Sequence, residues 1–283
     1  MKRNAMSLKA TINNMAKSNK VSPQALLQVY MLERLLERIS VSPYKNNFIL
    51  KGGMLIAAIL GINFRSTMDM DTTVKGFSLN QENITEILFE ICNIDLNDDV
   101  TFKIEKIDDI REEDDYGGYR ITFIALYQNQ MPVILKIDIT TGDIITYREI
   151  HYSFPLLFEN KSIFIWSYNI ETILAEKFES IIKRNVLGTR IRDYYDIYML
   201  WSTQYKFINF KTLKLAIIAT ATHRGTLSII NNYKEAIIEL ENNPQMKNQW
   251  AKYQNCYEYA KGITYESIID CIKSIGYIYD NGK

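Results

Sequence analysis

The sequence predicts an α+β protein, with a mixed α/β part over residues 1–160 and an all-helical part over residues 161–283. Three observations carry this reading. Apolar residues recur at every second position between about 101 and 145, the period of half-buried strands. Upstream of that stretch, short apolar runs alternate with segments of helical spacing. Beyond about residue 160 the helical spacing alone is legible.

Taken in order, "SPQALLQVYMLERLLERIS" (22–40) reads as an amphipathic helix with Ser22 as N-cap and Pro23 at the first helical position. Phe48 to Leu50 reads as a short strand, Gly52-Gly53 as a tight turn, and Met54 to Leu60 as a buried helix. Ser66 to Val74 reads as a second strand, and "NQENITEILFEICNI" returns to helix. "TFKIEKIDDI", "YRITFIALYQ" and "MPVILKIDITTGDII" are three further strands, the first two joined by the acidic loop "REEDDYGG". The helices beyond 160 are "NIETILAEKFESIIKR", "RIRDYYDIYMLW", "FKTLKLAIIATATHR", "LSIINNYKEAIIEL" and "YESIIDCIKSIGYIYD".

Of the 283 residues, 47% are hydrophobic and only 12 are glycine and 5 proline, enough for a full core with little disorder. Zero formal net charge rules out a globally basic surface, so a nucleic-acid partner would need a local patch. Cys92, Cys256 and Cys271 are scattered and match no metal spacing, which argues for a reducing compartment. The N-terminal stretch lacks the apolar core of a signal peptide, and runs such as "MLIAAILG" are too short to span a bilayer. The expectation is a cytoplasmic protein without membrane contact. His151 and His223 have no ligand spacing, and no Ser-His-Asp or Cys-His pattern is present.

The chemistry concentrates in "RSTMDMDTTV". Residues two apart on a strand share a face, so Asp69 and Asp71 would sit side by side and repel unless a cation lies between them. Such a pair can chelate a hard divalent cation; a solvated strand end is the competing reading. The upstream Gly52-Gly53 could bring backbone amides and a helix N-terminus to an anion. Asp138 interrupts an apolar strand, on the face of Ile134 and Lys136, and a shared metal would neutralise it. Lys177 falls within the stripe of Ile170, Ile173, Leu174, Phe178, Ile181 and Ile182, whereas Glu176 and Glu179 fall outside it. An inward lysine needs an anion, a nucleotide phosphate for instance, or must snorkel. Downstream, Asp193 could pair with Arg190 or orient Lys177, and Asp196 lies on a neighbouring face.

"KGGM", "RSTMDMD", "LKIDITTGD", "YNIETILAEKFESII" and "TRIRDYYDIY" occur in the order seen in the AbiEii/AbiGii toxin family, and the chain resembles that family over roughly residues 45 to 205. The resemblance implies a polymerase-β-type nucleotidyltransferase lobe with a mixed sheet, followed by an all-helical lobe. It implies a toxin of a bacterial toxin–antitoxin, abortive-infection (phage defence) system. By the same resemblance Asp69, Asp71 and Asp138 would hold Mg²⁺ or Mn²⁺, and Gly52, Gly53, Arg65, Lys177 and Arg190 would contact a nucleoside triphosphate. Lys177, Asp193 and Asp196 would join the three metal-side aspartates in catalysis. The implied acceptor is RNA, such as the tRNA 3′ end; the other implied partner is a cognate antitoxin, whether or not it touches the toxin. One departure stands out: Met54 occupies the place where the superfamily usually has a serine. A nucleotide-binding regulator without catalysis and an antitoxin-binding scaffold are the competing functions.

Overall fold

The computed structural model describes residues 5–19, 21–61, 67–110 and 117–282. Arg65 and Ser66, and residues 111–116 of the acidic loop, lie outside the described residues. The chain divides into two compact units, one of residues 1–143 and 150–167, the other of 144–149 and 168–283.

The first unit opens with helices α1 (Ala5–Asn19) and α2 (Pro23–Val41), then strand β1 (Phe48–Lys51), helix α3 (Gly52–Leu60), strand β2 (Asp69–Val74) and helix α4 (Gln81–Cys92). Strands β3 (Val100–Ile110), β4 (Gly118–Tyr127), β5 (Met131–Thr141), β6 (Ile150–Pro155) and β7 (Ser162–Ser167) follow. The seven strands form one mixed sheet in the order β3-β4-β5-β2-β1-β7-β6. β2 runs parallel to β5, and β1 parallel to β7; the other neighbours are antiparallel.

Local chemistry explains the elements. On β5, Val133, Leu135, Ile137 and Ile139 are buried, while Ile134 and Lys136 are exposed and Asp138 is half-buried. This is the alternation expected of a pleated strand. The β4–β5 hairpin closes through Gln128 and Asn129, both with positive φ. Helix α4 is capped by Asn80, whose side chain accepts the Asn83 amide.

Helix α2 departs from the amphipathic expectation, because Val29 to Ile39 are all buried. Four of those residues are charged: Glu33, Arg34, Glu37 and Arg38. Burying charge is costly unless it is paired, and most of this charge is. Arg38 forks onto Asp98 at 2.8 Å through both terminal nitrogens, and Arg34 reaches Glu159 at 2.6 Å. Lys161 pairs with Glu37. Glu33 accepts the Leu157 amide at 2.9 Å, yet burial still pushes its carboxyl up to about 8.

The second unit holds α5 (Ile170–Arg184), α6 (Ile191–Gln204), α7 (Phe210–His223), α8 (Leu227–Asn231), α9 (Tyr233–Asn242), α10 (Pro244–Cys256) and α11 (Tyr265–Asn281). Helix α5 packs against α6, α7, α8 and α9. It is therefore buried on more than its apolar stripe, and Glu179, expected outside the stripe, is 1% exposed. Arg224 at 2.9 Å and the Thr226 hydroxyl at 2.9 Å satisfy it.

Candidate active site

The parallel pairing of β2 with β5 sets Asp71 opposite Asp138 and Asp69 opposite Lys136. Pairing in register on neighbouring strands puts side chains on one face, so the sheet itself gathers Asp69, Asp71 and Asp138. The row continues on either side. Arg120 on β4 faces Asp138, and Lys51 on β1 faces Asp71.

Gly52 fits against this row with no room to spare. Its φ is +65°, and a Cβ there would lie 2.0 Å from Asp71 Oδ2. Glycine alone accepts that backbone without strain and that approach without a clash. The next amide, Gly53 N–H, is directed at Asp71 Oδ2 at 3.3 Å. Gly52 and Gly53 are the first residues of α3 rather than a turn ahead of it. Met54 is 2% exposed and belongs to the core, so no side chain at that position supplies the superfamily's hydroxyl.

Three charged neighbours of the aspartates escaped the sequence reading. Arg120 donates from Nε to Asp138 Oδ1 at 2.8 Å and from Nη2 to Oδ2 at 2.6 Å. Lys51 donates to Thr140 Oγ1 at 2.8 Å and to Asp143 Oδ2 at 2.6 Å. Burial opposes ionisation of Asp143, but Lys51 and the hydroxyls of Thr73 and Thr140 overcome it and hold the carboxyl below its ordinary value. Lys51 and Asp143 stand at the ends of "KGG" and "TTGD" and could have been suspected there. Nothing in the local sequence around Arg120 points to Asp138, because strand register links them.

In the second unit Lys177 is 18% exposed and pairs with Asp193 at 2.5 Å and with Asp196 at 3.0 Å. Asp196 is fully buried and Ser180 Oγ donates to Asp193 at 3.4 Å. The anions that Lys177 needs are thus supplied by α6, whose first turns place both aspartates on the side of α5. Arg190 precedes α6, and its carbonyl accepts the Asp193 amide at 2.9 Å. Asp193 pairs with Lys177, and among the described residues no ion pair joins it to the Arg190 side chain. Arg190 is exposed, and with Arg184 and Asp193 it lines a small recess at the α5–α6 corner.

Whether the donor set fits a metal follows from its chemistry. Among the described residues no group of three or more His, Cys, Asp or Glu side chains is arranged to hold a metal ion. Asp138 presents both its oxygens to Arg120. Asp69 and Asp71 remain as two neighbouring carboxylates on β2. Mg²⁺ is commonly held by one or two carboxylates, completing its shell with water and substrate phosphates, and Asp69 with Asp71 fit that pattern.

A mixed sheet of this kind followed by a helical unit is the fold of nucleotidyltransferase-like proteins. JHP933 from Helicobacter pylori superposes with a TM-score of 0.50 at 15% identity, over 92% of this chain and 94% of that one. A second H. pylori structure, of a candidate nucleotidyltransferase, gives a TM-score of 0.50 at 16% identity over 93% and 99%. The sequence matches the family described as "Nucleotidyl transferase AbiEii toxin, Type IV TA system" over residues 34–266. The chain belongs to that family. Comparison with curated proteins finds no match.

Proposed function

We propose that the protein is a metal-dependent nucleotidyltransferase toxin that moves a nucleotide from a nucleoside triphosphate onto RNA, the tRNA 3′ end being the favoured acceptor. The observation that carries this reading is the Asp69–Asp71 pair, packed against the Gly52-Gly53 helix start in a chain of the AbiEii family. Asp69 and Asp71 would hold Mg²⁺ or Mn²⁺; when bound, such an ion neutralises triphosphate and pyrophosphate charge. Asp138 takes the proton of the attacking RNA hydroxyl as general base. The hydroxyl oxygen bonds to the α-phosphorus and the bond to pyrophosphate breaks. Lys177, ion-paired with Asp193 and Asp196, is the proposed phosphate-binding lysine of the helical unit. Gly52, Gly53, Arg65 and Arg190 assist nucleotide binding.

A local basic patch supports an RNA acceptor. Lys183, Arg184, Arg190 and Arg192 lie within ten residues at the α5–α6 corner, and none forms an ion pair among the described residues. Arg34, Arg38, Arg120 and Arg224, by contrast, are all ion-paired. Cations without an acidic partner are available to a phosphate backbone. No helix among the described residues is long and apolar enough to cross a membrane. The proposed setting is the bacterial cytoplasm, in phage defence, with a cognate antitoxin that opposes the effect.

Sequencing RNA 3′ ends from bacteria briefly expressing the protein tests this. Added nucleotides that vanish with Asp69→Ala are the expected result. Identical 3′ ends in both cultures, with toxicity persisting in the variant, would overturn the proposal and favour the scaffold reading.

A further inference from the structure

Across four neighbouring strands, Arg120, Asp138, Asp71 and Lys51 form one transverse row of two anions flanked by two cations. The two cations differ in freedom. Lys51 and its partner Asp143 are each 14% exposed, and the same ammonium donates to Thr140. Arg120 is 49% exposed, so its guanidinium can rotate away without repacking the core. Its fork meanwhile covers both oxygens of Asp138, the atoms a metal or a reacting hydroxyl would need.

We propose that Arg120 gates the site: it occupies Asp138 in the resting protein and releases it when a metal-bound polyphosphate arrives, exchanging carboxylate for phosphate. This rests on the reading of Asp69 and Asp71 as metal-holding residues. A guanidinium stays charged at any physiological pH, so it leaves a carboxylate only for another anion. A phosphate offers the same two-oxygen geometry. The hydrogen bonds and charge of Asp138, aided by Asp69 and Asp71, hold Arg120 more firmly protonated than usual.

The arrangement has a consequence for selectivity. A bare divalent cation approaching Asp69 and Asp71 meets the positive charge of Arg120 nearby and is disfavoured by Coulomb repulsion. The same ion carrying a polyphosphate brings the anion that draws Arg120 off. The gate makes the site discriminate metal–nucleotide from free metal, a property that a purely structural ion pair does not confer.

The test is titration of the full chain with Mn²⁺ alone, followed by electron paramagnetic resonance of the free ion, and then with a non-hydrolysable nucleoside triphosphate present. Circular dichroism checks that each variant is folded. Arg120→Met is expected to bind Mn²⁺ alone about ten-fold more tightly than the parent, and to bind the Mn²⁺–nucleotide complex more weakly. Arg120→Lys keeps the charge without the fork and is expected to stay near the parent for Mn²⁺ alone. Unchanged or weaker Mn²⁺ binding in folded Arg120→Met overturns the gate while leaving the metal site standing. Absence of Mn²⁺ binding by both parent and variant overturns the gate and the metal-site reading together.

Discussion

Gly52 is the residue at which backbone and chemistry constrain each other most tightly. An alanine there would carry a Cβ 2.0 Å from Asp71 Oδ2 on a backbone at φ +65°. Gly52→Ala is expected to cost about 1–2 kcal/mol in urea unfolding and to lower nucleotide transfer at least about ten-fold, because the carboxylate must move. A stable, fully active variant would show that the position of Asp71 does not matter. Glu33 makes a different residue-scale prediction. Burial raises its carboxyl from an ordinary value near 4.5 to about 8. The folded chain then holds a proton that the unfolded chain releases, so stability falls as pH rises from about 4.5 to about 8. Glu33→Gln keeps an acceptor for the Leu157 amide and should flatten that slope, most visibly as added stability at pH 8. An unchanged slope in urea melts at pH 5, 6.5 and 8 would contradict this. At this scale the acidic residues were legible because an aspartate in an alternating apolar strand is anomalous. Arg120 was not, because which residue faces Asp138 depends on strand register, which in a hairpin is fixed by turn type and loop length.

At the scale of elements, Asn169 ties helix α5 to the segment before it, and the Thr172 hydroxyl adds one bond by accepting the Thr146 amide at 3.2 Å. Asn169 caps the helix by accepting the Thr172 amide at 2.8 Å, and its own amide donates to the carbonyls of Thr146 and Arg148. It is 8% exposed. Asn169→Ala removes the cap and strands two carbonyls, and should destabilise the chain by about 2 kcal/mol. A loss below about 0.5 kcal/mol in chemical denaturation would mean that water replaces all three bonds. The strands from β2 to β5 were readable from alternation, and β1 as a short apolar run ahead of the glycine pair. β6 was passed over because it buries one residue, Phe154, and β7 because "SIFIWS" is aromatic on its exposed positions as well. Phe164 is 68% exposed between buried Ile163 and Ile165. Helices α1 and α10 escaped for the opposite reason: they bury only a few residues each, Leu8, Ile12 and Ala16 on α1 and Met246 and Trp250 on α10.

At the scale of the whole molecule, a formal net charge of zero conceals an uneven distribution. Buried charges on α2 are neutralised within the first unit, while the cations of the α5–α6 corner have no acidic partner among the described residues. Global composition could exclude a uniformly basic surface but could not locate a patch, since that depends on which acids fold next to which bases. The fold class and the order of motifs followed from the sequence because helical and strand periods persist over long segments. The central claim is that the carboxylate pair on β2 supports metal-dependent transfer of a nucleotide. The most direct measurement is incubation of the purified protein with each labelled nucleoside triphosphate, total RNA and Mg²⁺, alongside Asp71→Asn. Label incorporated into RNA by the parent, lost on chelation of Mg²⁺ and absent with Asp71→Asn, is the predicted result; equal incorporation by parent and variant, or none from any of the four nucleotides, would contradict it.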